Sequence, residues 1–191
     1  MRRIRKGDLR LQRSVQLIRG IDNQVVEAVL LALAQNHIDD FENLWKEQLR
    51  LYGQEDKYWD WLFKKRISVS RDNYESYAIE YEGRTQGLLW IETQHHRSQV
   101  EEGQRLVYIE ALASAPWNRR AIQRPPELKG VGTLLLNFAR FRSLDLGYEG
   151  RVALHALPGA ERFYDSRNMM NFGADSDKED LIYFEYGRLR R

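Results

Sequence analysis

The residues of this chain best suited to chemistry are Gly130-Val131-Gly132-Thr133, which run straight into the apolar stretch Leu134-Leu135-Leu136-Asn137-Phe138-Ala139-Arg140-Phe141. Glycines let the backbone turn sharply and leave its amides uncovered. A helix starting there presents unpaired N–H groups and the positive end of its dipole. Such a mouth suits a phosphate or pyrophosphate. Taken alone, a Gly-x-Gly pair equally describes a tight loop before a packed helix. The second candidate is Glu110, midway along residues 106–114, the most strand-like stretch of the chain. A carboxylate there is costly unless it is paired or opens into a cleft. Burial would lift its pKa toward neutrality, as a general base for an ammonium requires. A salt-bridged or edge glutamate is the plainer alternative. His95-His96 lie close in sequence to Glu101-Glu102. Neighbouring histidines on a strand point to opposite faces, and no zinc-like ligand spacing is present. The segment reads as a solvated hairpin end, and no metal is expected.

The composition narrows the chemistry further. The chain has 191 residues and 42% hydrophobic content, enough for one domain with a sizeable core. It has no cysteine. A disulfide scaffold, a thiolate zinc site and a cysteine nucleophile are all excluded. An acyl group, if one is transferred, must pass directly to its acceptor or through another nucleophile. No stretch is long and apolar enough to span a membrane, and the basic N-terminus lacks the apolar run of a signal peptide. The expectation is a soluble cytoplasmic protein. The net charge of +2 is unevenly spread: residues 1–20 carry +6, Arg188, Arg190 and Arg191 add +3, and the body between them carries −7. Basic ends on an acidic body leave a nucleic-acid or acidic partner open, although such runs are more often solvated. The acidic body weakly favours a cationic substrate such as an amine. A homodimer is left open.

The elements that must position these residues follow from pattern. Residues 1–13 read as a basic, flexible arm and 14–191 as a single domain. Residues 14–18 alternate as a first strand. Asp22 or Asn23 then caps a helix through Val25, Val26, Val29, Leu30 and Leu33. Asp39 opens a second helix with Glu42 in a capping-box position, and Gly53 stops it. Asp56 opens a third, so that 22–66 forms a long helical region. Its aromatics, Trp45, Tyr52, Tyr58, Trp59, Trp61 and Phe63, suit packing onto a sheet or the wall of an acceptor pocket. Residues 74–81 and 85–93 form a hairpin about Glu82-Gly83. Strand 106–114, a basic loop 117–129, and the helix from Gly130 to about Leu146 with its stop at Gly147 come next. Then follow strand 151–157, a short helix 160–167 ending at Asn168, and strands 169–172 and 181–186. The order describes a mixed α/β (α+β) domain without internal repeats.

From residue 106 to about 173 the chain resembles the GNAT superfamily of N-acetyltransferases. The stretch Ile109-Glu110-Ala111-Leu112-Ala113-Ser114-Ala115-Pro116 is similar to that family's central strand. Arg119 stands where the family commonly places an arginine, Gly130-Val131-Gly132 matches the glycines of its Gln/Arg-x-x-Gly-x-Gly/Ala signature, and Ala160-Glu161-Arg162-Phe163-Tyr164 matches its Ala-x-x-Phe-Tyr helix. The chain departs from the pattern at Glu127, in the long 117–129 loop, and at Leu157-Pro158 and Asn168-Met169. Arg119, Arg120, Arg124 or Lys129 would replace the charge missing at Glu127. The resemblance implies a mixed central sheet with splayed middle strands, helices on both faces, and acetyl-CoA in the V-shaped gap. It implies pantetheine pairing with the backbone of Leu112, Ala113 and Ser114, and a pyrophosphate on the amides of Lys129, Gly130, Val131, Gly132 and Thr133, with Arg119 beside it. It also implies direct attack by an acceptor amine, with Glu110 as base and Tyr164 as the acid for the leaving thiolate. The rival is a non-catalytic module of the same fold that acts through CoA, protein or nucleic-acid partners.

Overall fold

The computed structural model describes residues 12–189; residues 1–11 of the basic arm, and Arg190 and Arg191, lie outside them. Among the described residues, nine strands form one open sheet: β1 (Gln12–Arg19), β2 (Val25–Ala32), β3 (Tyr74–Tyr81), β4 (Arg84–Glu92), β5 (Val107–Ser114), β6 (Leu128–Lys129), β7 (Val152–Ala156), β8 (Met170–Asp175) and β9 (Leu181–Tyr186). Their order is β6-β1-β2-β3-β4-β5-β7-β9-β8. Every neighbouring pair is antiparallel except β5 and β7. Helix α4 (Val131–Asp145) and the short α5 (Glu161–Asp165) share one core with one face of the sheet. Helices α1 (Gln35–Asp40), α2 (Lys46–Leu51) and α3 (Trp61–Ser70) pack on the other.

The helix expected from Asp22 is a strand. Val25, Val26, Val29, Leu30 and Leu33 satisfy helical spacing, yet Val26, Ala28 and Leu30 are buried while Val25 and Glu27 face out. Period two has won because β-branched valines suit a pleated surface. Asp22 and Asn23 form the hairpin turn into this strand: Asp22 Oδ1 accepts from the Gln24 N–H (3.1 Å), and Asn23 sits at φ 59. Gln12 and Arg13, expected in the arm, belong to β1. The helical region therefore starts at Gln35, not at residue 22.

The Asp39 capping box is likewise absent. The Ala34 N–H donates instead to His37 Nδ1 (2.9 Å), and His37 is fully buried. Asp40 reaches across to accept from the backbone N–H and hydroxyl of Thr85 (2.8 and 2.7 Å), tying α1 to β4. A π-helical turn, Phe41–Trp45, joins α1 to α2, and Phe41, Trp45 and Leu49 are fully buried across it. Phe41 packs on Trp45 (5.5 Å) and Trp61 (6.1 Å), and Trp45 on Trp117 (6.1 Å). Burying each such side chain contributes roughly 2–3 kcal/mol. Of the aromatics expected here, Trp45 and Trp61 are core and Trp59 packs against it, while Tyr52, Tyr58 and Phe63 are exposed. Asp60, not Asp56, caps α3, accepting from the Phe63 N–H (2.8 Å). Gly53 at φ 62 ends α2 as expected, and the Glu82-Gly83 hairpin and the turn at Asn168 (φ 60) stand where the pattern put them.

Candidate active site

The site lies where β5 and β7 part. Their parallel pairing runs from Val107–Val152 to Ile109–Leu154 and then stops, although both strands continue. Beyond Ile109 the β7-facing edge of β5 has no strand partner among the described residues. On its other edge β5 stays paired with β4, as far as Ser114 opposite Gly87. The Ala115 N–H donates to the Gln86 carbonyl (2.9 Å), so by strand alternation Ala113 turns its backbone groups toward β4 while Leu112 and Ser114 turn theirs to the open edge. The three backbone positions expected to meet a pantetheine arm thus divide: Leu112 faces the gap, Ser114 faces it with its N–H while its carbonyl accepts from Arg119 Nε, and Ala113 is already engaged.

A bulge sits at the head of this gap. Trp90 opposes Ala111 and Ile91 opposes Ile109, which leaves Glu110 as the extra residue. Bulges re-aim side chains and recur beside active sites. Val107 and Ile109 pack toward α4 and Ala111 toward α1–α3. Glu110 is half-buried. Burial pushes its carboxyl above the usual range, partly offset by the charges of His96, Lys178 and Lys64. Lys64 projects among three indoles, its Nζ 4.9 Å from Trp90, 5.5 Å from Trp59 and 5.9 Å from Trp61. Burial pushes its ammonium below the ordinary lysine range.

Across the gap, Gly130 is the N-cap of α4, its φ of 91 one that only glycine adopts without strain, and no side chain among the described residues caps the helix. Gly132 is where the helix meets its neighbours: a Cβ there would stand 3.2 Å from the Phe163 ring and 3.8 Å from Leu112. Gly87 in β4 matters as much, because a Cβ on it would fall 2.6 Å from Val131 and 3.0 Å from Leu135. Its absence lets the first turn of α4 press on the sheet. Val131 is buried beneath that contact, while Gly132 and Thr133 stay half-exposed. Beside this mouth a groove of about 530 Å³ runs between β1 and α4, bordered by Arg13, Lys129, Gly130, Thr133, Asn137 and Arg167.

The long loop before α4 is tied down at both ends. The Glu127 N–H donates to the Trp117 carbonyl (2.9 Å) and the Leu128 N–H to Asn118 Oδ1 (2.8 Å). Lys129 pairs with Ile18 through β6, and its ammonium bonds Asn23. The Glu127 carboxylate is paired with Arg84 (3.3 Å). Arg119 is fully committed: its Nε donates to the Ser114 carbonyl (2.9 Å), and its two terminal nitrogens grip Asp56, one also reaching Gln54 (3.1 Å). Arg119 therefore braces the loop against the 3₁₀ turn Glu55–Tyr58.

Tyr164 is buried against Phe163 (5.0 Å) and Phe184 (5.5 Å), and burial pushes its hydroxyl pKa up. It stays protonated throughout the physiological range, as a hydrogen-bond donor must.

A cluster that the residue pattern did not single out lies beside Glu110. The Tyr108 hydroxyl is bonded to His155 Nδ1, and His155 Nε2 meets Asp175 (2.9 Å). His96 stacks on Tyr108 (3.9 Å, 8°). Glu92 holds His96 there through Nδ1 (2.9 Å). Burial alone would raise the Glu92 carboxyl, but bonds from His96, Asn73 and the backbone of Gln94 and His95 hold it down at about 2. Glu101 is turned away to Arg151 (2.6 Å). His155 sits within a short apolar strand and carries no spacing signal; only the topology brings it to Tyr108.

No protein-family profile and no curated protein matches the chain. Solved structures do. It is similar to the PaiA N-acetyltransferase of Thermoplasma acidophilum in complex with coenzyme A, at 11% identity over 85% of this chain and 99% of that one, with a TM-score of 0.56. It is similar to the Bacillus subtilis N-acetyltransferase YlbP in complex with coenzyme A (11% identity, 92% and 97% coverage, TM-score 0.55). It is also similar to Ard1 from Thermoplasma volcanium (16% identity, 86% and 100% coverage, TM-score 0.55). The fold is that of the GNAT N-acetyltransferases.

Proposed function

We propose that the protein is an acyl-CoA-dependent N-acyltransferase that passes acetyl from acetyl-CoA to a primary amine by direct attack. The observation that carries this reading is the parting of β5 from β7 directly at the Glu110 bulge, opposite an uncapped helix mouth. The cradle fits an acyl-CoA: glycine stands where a Cβ would close the mouth, and Leu112 with both backbone groups and Ser114 with its N–H offer partners to a pantetheine arm. The amides of Gly130, Val131, Gly132 and Thr133 receive the pyrophosphate. Arg13, Lys129 and Arg167 supply the cations along the adjoining groove, in place of Arg119. The thioester provides an activated acyl carbon and a thiolate leaving group.

Glu110, its carboxyl raised by burial, takes a proton from the acceptor ammonium. Tyr164 donates a hydrogen bond to the departing sulfur. The acceptor enters over the face that carries Trp59, Trp90 and Lys64. The test begins with acetyl-CoA and with CoA in a thermal-shift assay, followed by thiol release over a panel of amines. Stabilisation by both and turnover of one amine class is expected. A melting temperature indifferent to saturating acetyl-CoA overturns the proposal.

A further inference from the structure

Acyl transfer to an ammonium sheds two protons from nitrogen, one before attack and one from the tetrahedral intermediate, and returns one to sulfur. Glu110 stores one at a time. The residues beside it offer a second store. Tyr108 lies on β5 two positions before Glu110, in a small cluster with Ala153 and Tyr183 on the face away from α4. Its hydroxyl meets His155 of β7, and His155 meets Asp175 of β8. The His155 ring and the Asp177 N–H hold the Asp175 carboxyl below its ordinary range. An ionised carboxylate only accepts, so Nε2 carries the ring hydrogen of neutral His155 and Nδ1 accepts from the Tyr108 hydroxyl. That hydroxyl keeps its lone pairs for another donor. The His155 side chain is 9% exposed and Asp175 31%, so the chain of groups leads from beside Glu110 to solvent.

We propose that Tyr108, His155 and Asp175 form a proton relay that removes the second proton from the acceptor nitrogen, an inference that rests on the transferase reading above. The step balances. As the C–S bond breaks, the N–H⁺ of the intermediate gives its proton to Tyr108 Oη while the Tyr108 proton passes to His155 Nδ1. The tyrosine is unchanged, the imidazolium is held by Asp175, and one proton later leaves to water. The thiolate takes its own proton through Tyr164, which recovers one from water as Glu110 gives up the first proton, so that the net release is one. Tyr108 would touch the reacting nitrogen; His155 and Asp175 act through it. The other groups facing this cluster are His96 from the loop after β4, Glu92 of β4, Glu110 of β5, Tyr183 and Glu185 of β9, and Lys178 after β8.

The test measures kcat and KM against pH for the full chain, with saturating acetyl-CoA and excess benzylamine as the probe acceptor. Binding of acetyl-CoA is followed separately by thermal shift. The acid limb of kcat in the unmodified protein should fall with the uptake of about two protons, one at Glu110 and one within the relay. Tyr108→Phe should lower kcat about 100-fold, leave KM for acetyl-CoA unchanged and reduce the limb to about one proton. Asp175→Asn, at a more exposed position, should alter the same limb and serves if Tyr108→Phe does not fold. Tyr183→Phe, on the same face but outside the relay, should keep both protons. Full kcat and an unaltered limb in Tyr108→Phe and Asp175→Asn would overturn the relay and leave the CoA site standing. An unmodified protein that binds acetyl-CoA yet never acylates the probe also overturns the relay. One that does not bind acetyl-CoA removes the transferase reading, and the relay with it.

Discussion

At the scale of single residues, two charged groups that look alike in sequence have opposite fates. Glu110 is the unpaired residue of a bulge, and burial raises its carboxyl. A raised folded-state pKa means that the stability it contributes is present at low pH and lost as the pH climbs through that pKa. Glu110→Gln should therefore melt no lower than the unmodified protein at pH 7–8, while kcat falls roughly 10²- to 10⁴-fold above the Glu110 pKa and the Glu110 part of the acid limb disappears. Melting curves and a pH–rate profile check both halves, and a variant that both loses stability and keeps its rate would make Glu110 structural. Arg119 is the reverse case. Its guanidinium closes on Asp56, whose side chain is only 6% exposed. Arg119→Ala strands that carboxylate, and a loss of about 3 kcal/mol is expected by denaturant unfolding. Affinity for CoA measured on the folded variant should change far less than stability does.

At the scale of elements, the first turn of α4 is positioned by absences of side chain. Gly87 admits Val131 to the sheet, and Gly132 admits Phe163. Gly132→Leu has to displace the Phe163 ring and covers the amides of the mouth. Loss of detectable CoA binding in calorimetry, with the far-UV spectrum retained, is the expected outcome; normal CoA affinity in a folded Gly132→Leu would reduce the glycine loop to packing. Strand β2 shows how an element can be misplaced by pattern alone. Helical spacing fits residues 25–33 as well as strand alternation does, and the difference is made by a β1 partner in register from Gln12–Leu31 to Ile18–Val25. Asp39 and Asp56 have cap-like sequence surroundings, yet α1 begins at Gln35 under His37 and α3 is capped by Asp60.

At the scale of the whole molecule, the two faces of one sheet carry different sets of polar groups. The α4 side offers amides and a groove with Arg13, Lys129 and Arg167, and the opposite side gathers Glu110, Lys64 and the Tyr108–His155–Asp175 line. The gap between β5 and β7 joins them. A ligand that bridges this gap should stabilise the fold as a unit. Acetyl-CoA at a hundred times its Kd is expected to add about 2.7 kcal/mol, which for a chain of this size is a rise of roughly 5–11 °C in Tm. Sulfate alone, reaching only the helix mouth, should give a smaller rise.

What the sequence determined by itself was local: the hairpin at Glu82-Gly83, the strand bearing Glu110, the glycine entry into α4, the short Phe163-Tyr164 helix and the turn at Asn168. Each of these is decided by residues within a turn or two of one another, where steric freedom and side-chain period act directly. The tertiary structure alone decided that residues 25–32 pair as a strand, that Arg119 is spent on Asp56, that Ala113 faces β4 rather than the gap, and that His155 meets Tyr108. These outcomes depend on partners 7 to 63 positions away, and the choice among several chemically adequate partners is made by the packing of the sheet.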